Sequence, residues 1–173
     1  MTKSVPASRT IRSNSGIVWL VVVAAIVAFL LGDLILRGTL DQLMRIAPWL
    51  LLIVWTVWAL AVHPRVIADR EGVEVINPLR TYRFGWGEVA ELSLRWQIAF
   101  RLTGERIIAA WAVPVSRSSR ARVSQPADRE VEILQELREQ AAAAVGQQLS
   151  VRWNVLPIAG FLLLLICGVV TSF

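Results

Sequence analysis

Apolar and polar residues follow two contrasting regimes along this chain. Three runs are almost uniformly apolar: Gly16 to Leu36 (GIVWLVVVAAIVAFLLGDLIL), Ile46 to Val62 (IAPWLLLIVWTVWALAV) and Val155 to Val170 (VLPIAGFLLLLICGVV). Between the second and third lies a stretch, Pro64 to Arg152, where apolar residues alternate with polar ones. A helix of about 20 apolar residues crosses the roughly 30 Å of hydrocarbon in a bilayer. The first two runs predict a transmembrane hairpin over 16–62, with spans 16–36 and 46–62. The third is shorter and is extended by Thr171, Ser172 and Phe173, giving a third transmembrane helix over 153–173. The first run is too long for a signal peptide and lacks an A-x-A cleavage pattern, so it reads as a retained signal-anchor.

The short connection RGTLDQLMR reads as the loop of the hairpin, and Pro48 is expected in the first turn of the second span, where its missing N–H costs little. Asp33 lies near the far end of the first span, where its carboxylate reaches the headgroups; it is the candidate intramembrane polar contact. Trp19, Trp49 and Trp153 fall near segment ends, as interfacial aromatics do.

Residues 1–15 form an N-terminal tail, and 64–150 a separate polar domain. In that domain RVIAD (65–69) and VEVIN (73–77) flank the turn-like Arg70-Glu71-Gly72 and predict a strand hairpin. RTYRF (80–84) follows Asn77-Pro78 as a third strand. Leu92, Leu94, Trp96, Ile98, Phe100 and Leu102 then alternate with polar or small residues, which predicts one apolar sheet face. Thr103-Gly104 turns the chain into a partner strand, where Ile107, Ala109, Trp111 and Val113 are expected to share a face. Pro126 and Asp128 open a helix reaching about Val145, with an apolar stripe of Ile133, Leu134, Leu137, Ala141 and Ala144. The fold class is therefore α+β: three transmembrane helices plus a small antiparallel sheet covered by one amphipathic helix.

The segment PRVIADREGVEVINPLRTYRFGWGEVAELSL carries a D-x-x-G-V hairpin, an N-P-L-R-T step and W-x-E-V before the next strand. It resembles the bacterial pleckstrin-homology (PH)-like family of the low-molecular-weight antigen type, found in high-GC Gram-positive bacteria (actinobacteria). The resemblance covers about residues 64–145 and implies a PH-like sheet or barrel capped by its C-terminal helix. A complete PH barrel has seven strands, whereas five are legible here. In such a fold Trp86, Val89, Trp96, Trp111, Leu134 and Leu137 are the expected core.

Composition and charge narrow the function. Hydrophobic residues make up 55% of the 173 and charged residues only 18%. A soluble enzyme, a disordered regulator and a disulfide-stapled secreted domain all fit poorly. Cys167 and His63 are the sole residues of their kinds, so there is no Cys-based metal cage and no nucleophile with an oriented histidine base. No catalytic, cofactor-binding or metal site is expected. The net charge of +5 is carried almost wholly by arginine, Lys3 being the exception. Lys3, Arg9 and Arg12 precede the first span, Arg65 and Arg70 follow the second, and Arg152 precedes the third. Positive charge favours the cytoplasmic side, which puts the N-terminus and PH-like domain in the cytoplasm of an inner-membrane protein and the C-terminus outside.

Membrane lipid and an unidentified membrane or cytoplasmic protein are the expected partners. Arg117, Arg120, Arg122 and Arg129 are candidate contacts to anionic headgroups, each worth about 1 kcal/mol near a charged leaflet. Phosphorylation of Ser116, Ser118 or Ser119 would reverse that attraction. A phosphoinositide pocket is not expected at Asp69-Arg70-Glu71-Gly72, which sets two acids against one base. Nucleic acid is excluded, because the domain's arginines are nearly balanced by acids and its aromatics face inward. The expected role is a non-catalytic, membrane-held module that docks a protein or senses the anionic leaflet. The alternative is an accessory subunit of a transporter or envelope-synthesis complex, contacted through its spans.

Overall fold

The computed structural model describes residues 8–12, 14–94, 98–111, 134–139 and 148–173. The chain divides into two compact units, Met1–Ser13 with Pro64–Trp153, and Asn14–His63 with Asn154–Phe173.

The first unit is α+β with antiparallel sheets. Strands β1 (Ser8–Ile11), β2 (Arg65–Asp69), β3 (Gly72–Ile76), β4 (Arg80–Gly85) and β8 (Ser150–Trp153) form a five-stranded sheet in the order β1-β2-β3-β4-β8. A 3₁₀ turn, Trp86–Glu88, leads into a three-stranded sheet of β5 (Val89–Leu94), β6 (Ile98–Leu102) and β7 (Ile107–Ala109). Residues 134–139 are helical and are designated α3. Among the described residues no ladder joins the two sheets into a closed barrel.

One apolar core serves both sheets and α3. Val66, Ala68, Val73, Val75 and Phe84 enter it from the first sheet, Ile98, Phe100, Leu102 and Ile108 from the second, and Leu134 and Leu137 from α3. Phe84 and Phe100 meet edge to face with ring centroids 5.4 Å apart, a geometry favoured by the aromatic quadrupole.

Two features of this sheet depart from the sequence pattern. The tail contains β1, which pairs with β2 from Ser8↔Asp69 to Ile11↔Val66. The alternating run supplies two antiparallel strands, β5 and β6, with Leu94 opposite Ile98. Cross-strand partners share a face, and partners an even number of residues apart keep the period-two phase. Alternation alone therefore cannot distinguish this pair of strands from one long strand.

The face of β7 corrects the expectation. Ile108 and Ala110 are buried, whereas Ile107 is 63% and Trp111 is 56% exposed. A two-residue turn at Thr103-Gly104 would set Ile107 opposite Phe100. The turn takes three residues instead: Leu102 N–H donates to Arg106 O, and Glu105 adopts φ 61°. Phe100 then opposes Ile108, and the one-residue slip turns Trp111 away from the core.

The second unit contains α1 (Asn14–Arg37), α2 (Leu40–Val57) and α4 (Val155–Ser172), with α2 continuing into a π-helical turn at Trp58–Val62. All three helices are long and apolar enough to cross a membrane. The expected hairpin loop is largely helix. Thr39 caps α2 in a reciprocal box with Gln42: Gln42 N–H donates to Thr39 Oγ1 at 3.3 Å and Thr39 N–H to Gln42 Oε1 at 3.0 Å. Pro48 consequently sits inside α2, not in its first turn, and removes the bond to the Met44 carbonyl.

Helices α2 and α4 pack through tryptophan–glycine notches. A side chain at Gly160 would collide with the Trp55 ring, and one at Gly168 would come within 2.9 Å of the Trp49 ring. Trp55 Nε1 also donates to Pro157 O at 3.1 Å. Small residues let helices approach closely where no hydrophobic effect drives them together.

Candidate functional site

The sequence-predicted core residues divide three ways. Trp86, Val89, Leu134 and Leu137 are all buried in the central cluster. Trp111 is exposed and lies outside it. Trp96 and the candidate lipid contacts Arg117, Arg120, Arg122 and Arg129 lie outside the described residues.

Trp86 is positioned by more than apolar packing. Its Nε1 donates to Asp69 O at 2.7 Å, satisfying the one polar atom that a buried indole carries. The Asp69 carboxylate meanwhile accepts from Glu71 N–H at 2.8 Å and Gly72 N–H at 2.9 Å. These bonds form a side-chain-closed turn, as aspartate readily makes. The acids of this hairpin are thus committed to local structure: Glu71 also pairs with Arg83 at 3.7 Å.

Val89 reaches the core through a bulge. The β5–β6 register shifts between Val89 and Glu91, which brings Val89 onto the inward face that Leu92 and Phe100 occupy. Bulges leave ladder groups unpaired, and here the Val89 carbonyl accepts from Arg138 Nη2 at 2.6 Å. Arg138 thereby ties α3 to the second sheet.

A cleft of about 390 Å³ lies between the β7 edge and the β4–β8 edge of this unit. Tyr82, Leu149 and Val151 line one side, and Arg106, Ile107 and Trp111 the other. Asn77 closes the end: its Nδ2 donates to Ala109 O at 2.9 Å and its Oδ1 accepts from Trp111 N–H at 3.0 Å. The walls are mixed: the apolar side chains of Ile107, Trp111, Leu149 and Val151 stand beside polar groups that include Arg106, Tyr82 and Asn77. Tyr82 is half-buried, while Arg106 and Trp111 are exposed. Tyrosine, tryptophan and arginine are the residues that most often dominate binding at protein interfaces. Sequence reasoning missed this cleft because β8 is four residues long and Trp111 was assigned to the core.

Asp33 pairs with Arg37 one helical turn on, at 3.0 Å, with both side chains at least half exposed. Its carboxylate therefore has a partner within its own helix. In this unit a second cavity of about 490 Å³ is lined by Leu20, Leu51, Trp55, Trp58 and Leu163 among others. Among the described residues, no group of three His, Cys, Asp or Glu side chains stands close enough to hold a metal ion.

The family model for the bacterial PH domain matches residues 63–148. The chain carries a bacterial PH domain. The match begins at His63, just before β2, and ends just before β8, so the edge strands β1 and β8 lie outside the matched residues. No curated protein and no solved structure matches the chain.

Proposed function

We propose that this protein is a membrane-spanning, non-catalytic adaptor whose PH domain docks a protein partner at the cytoplasmic face. Bacterial PH domains are generally non-catalytic, which supports the first part of the reading. Strand β1 precedes α1, and its partner β2 follows α2. The two cannot pair across a bilayer, so this ladder supports a hairpin of two full spans that returns the chain to its starting side. An excess of arginine on that side supports a cytoplasmic location, with α4 then carrying the C-terminus outside.

The observation that carries docking is the cleft between β7 and β8. It joins exposed apolar surface at Trp111, Ile107 and Val151 to a single cation, Arg106. An extended peptide with a carboxylate placed against Arg106 fits those walls. Asp33 held against another helix would favour the accessory-subunit alternative, and the exposed Asp33–Arg37 pair gives it no such support.

Site-specific photocrosslinking in native membranes tests the proposal. A crosslinker replacing Trp111 is expected to trap a defined protein, and Arg106→Glu is expected to weaken that capture. Crosslinks obtained only from a position on the first span, such as Phe29, would overturn docking and favour the accessory-subunit reading.

A further inference from the structure

One end of the five-stranded sheet collects arginines that are far apart in sequence. Arg65, Ile76, Thr81 and Arg152 form a continuous cross-strand row over β2, β3, β4 and β8. One step further, Arg80 opposes Trp153 and its guanidinium lies 4.3 Å from the indole ring centre. Arg12 follows Ile11, the last paired residue of β1. The turn from Asn77 to Arg80 closes this same end, with Asn77 N–H donating to Arg80 O at 3.0 Å.

Arg12, Arg65, Arg80 and Arg152 are all exposed, and among the described residues none of them is ion-paired. Elsewhere in the two sheets Arg83 pairs with Glu71, and Arg101 with Glu91. Two apolar side chains project beside the free arginines: Leu79 is 58% exposed and Trp153 60%. Arginine with exposed tryptophan and leucine is the composition of a surface that sits at the bilayer boundary, the aromatic at headgroup depth and the guanidinium on phosphate.

Along the sequence, the arginines of this end flank the apolar helices. Arg12 is two residues before α1, Arg65 three residues after Val62, and Arg152 three residues before α4. Each passage between sheet and apolar helix therefore carries an arginine. Row geometry argues against a compact headgroup pocket. Arg65 and Arg152 are separated by three strand spacings, about 14 Å, too far to grip one phosphate together.

We propose that this end of the sheet is a binding surface for anionic phospholipid headgroups, with Arg65, Arg80 and Arg152 each engaging a separate lipid phosphate. The inference rests on the reading that the three helices span the membrane. Docked this way, the PH domain is held against the leaflet.

The test is native mass spectrometry of the full chain in neutral detergent, titrated with phosphatidylglycerol or phosphatidylcholine. The wild type is expected to prefer phosphatidylglycerol. Arg65→Gln, Arg80→Gln and Arg152→Gln together are expected to remove that preference, at roughly fivefold per arginine. The triple variant Arg70→Gln, Arg83→Gln and Arg101→Gln is expected to retain it. An unchanged preference in the first triple variant, or an equal loss in both, would overturn the proposal. So would displacement of the lipid by millimolar inorganic phosphate that then binds alone, since the ligand would then be a soluble phosphate. Should the first variant fail to fold, the wild type still decides: a preference that does not weaken with added salt overturns the inference. Alkaline carbonate extraction of native membranes separates the two readings. Release of the protein contradicts the spans, whereas retention without anionic preference contradicts only the lipid surface.

Discussion

The carboxamide of Asn77 binds the backbone of Trp111 at 3.0 Å, and it binds Ala109 at 2.9 Å, as a neighbouring strand would. It comes from the turn after β3 in the five-stranded sheet and reaches the end of β7 in the three-stranded one. One side chain therefore links two sheets that no ladder joins among the described residues.

Replacing Asn77 with Ala should cost about 1–3 kcal/mol, because the part-buried Ala109 carbonyl and the exposed Trp111 N–H lose their partner together. Asn77→Asp is expected to do no better: it keeps an acceptor for Trp111 but sets a carboxylate oxygen against the Ala109 carbonyl. Thermal unfolding of the full chain in detergent, monitored by the tryptophan signal, checks this ranking.

Glu105 holds the left-handed conformation in the three-residue turn Thr103–Glu105. That conformation costs a side-chain-bearing residue about 1–2 kcal/mol, so Glu105→Gly should stabilise the domain. The gain will be smaller than that cost, because glycine also loosens the unfolded chain. Glu105→Val, β-branched and ill-suited to positive φ, should destabilise it. Denaturant midpoints of the three proteins supply the comparison.

Gly160 lies under the Trp55 ring, so Gly160→Val is expected to disrupt α2–α4 packing at a cost of about 1–3 kcal/mol. Trp55→Leu should also destabilise, yet the double variant should recover part of the loss by reopening space. A coupling near zero in that double-mutant cycle would contradict the notch.

What was legible in the sequence depends on whether the signal is local. The three apolar helices, the Asp69–Gly72 hairpin and the helical stripe with Leu134 and Leu137 each follow from a few consecutive residues, whereas the inward positions of Trp86 and Val89 followed from the family resemblance. The capping box Thr39-x-x-Gln42 was equally local and was overlooked, which placed the start of α2 six residues late. Strand β1 gives no such signal: of its four residues only Ile11 is buried, and its partner lies beyond two apolar helices. Trp111 failed differently. Its face depends on the parity of one turn, and parity is set by the backbone of Glu105 rather than by any alternation. The arginine end is the extreme case, since Arg65, Arg80 and Arg152 come to one end of a single sheet only through strand register.

The central claim is that the PH domain and β1 share the cytoplasmic side while α4 carries the C-terminus across the membrane. Cysteine accessibility in intact cells tests it most directly, in a background where Cys167→Ser removes the single native thiol. Cysteines introduced one at a time at Ser8, Glu71 and Phe173 would be challenged with a membrane-impermeant maleimide. The account predicts immediate labelling at 173, and labelling at 8 and 71 only after permeabilisation. Labelling at 71 in intact cells, or different accessibility at 8 and 71, would contradict it.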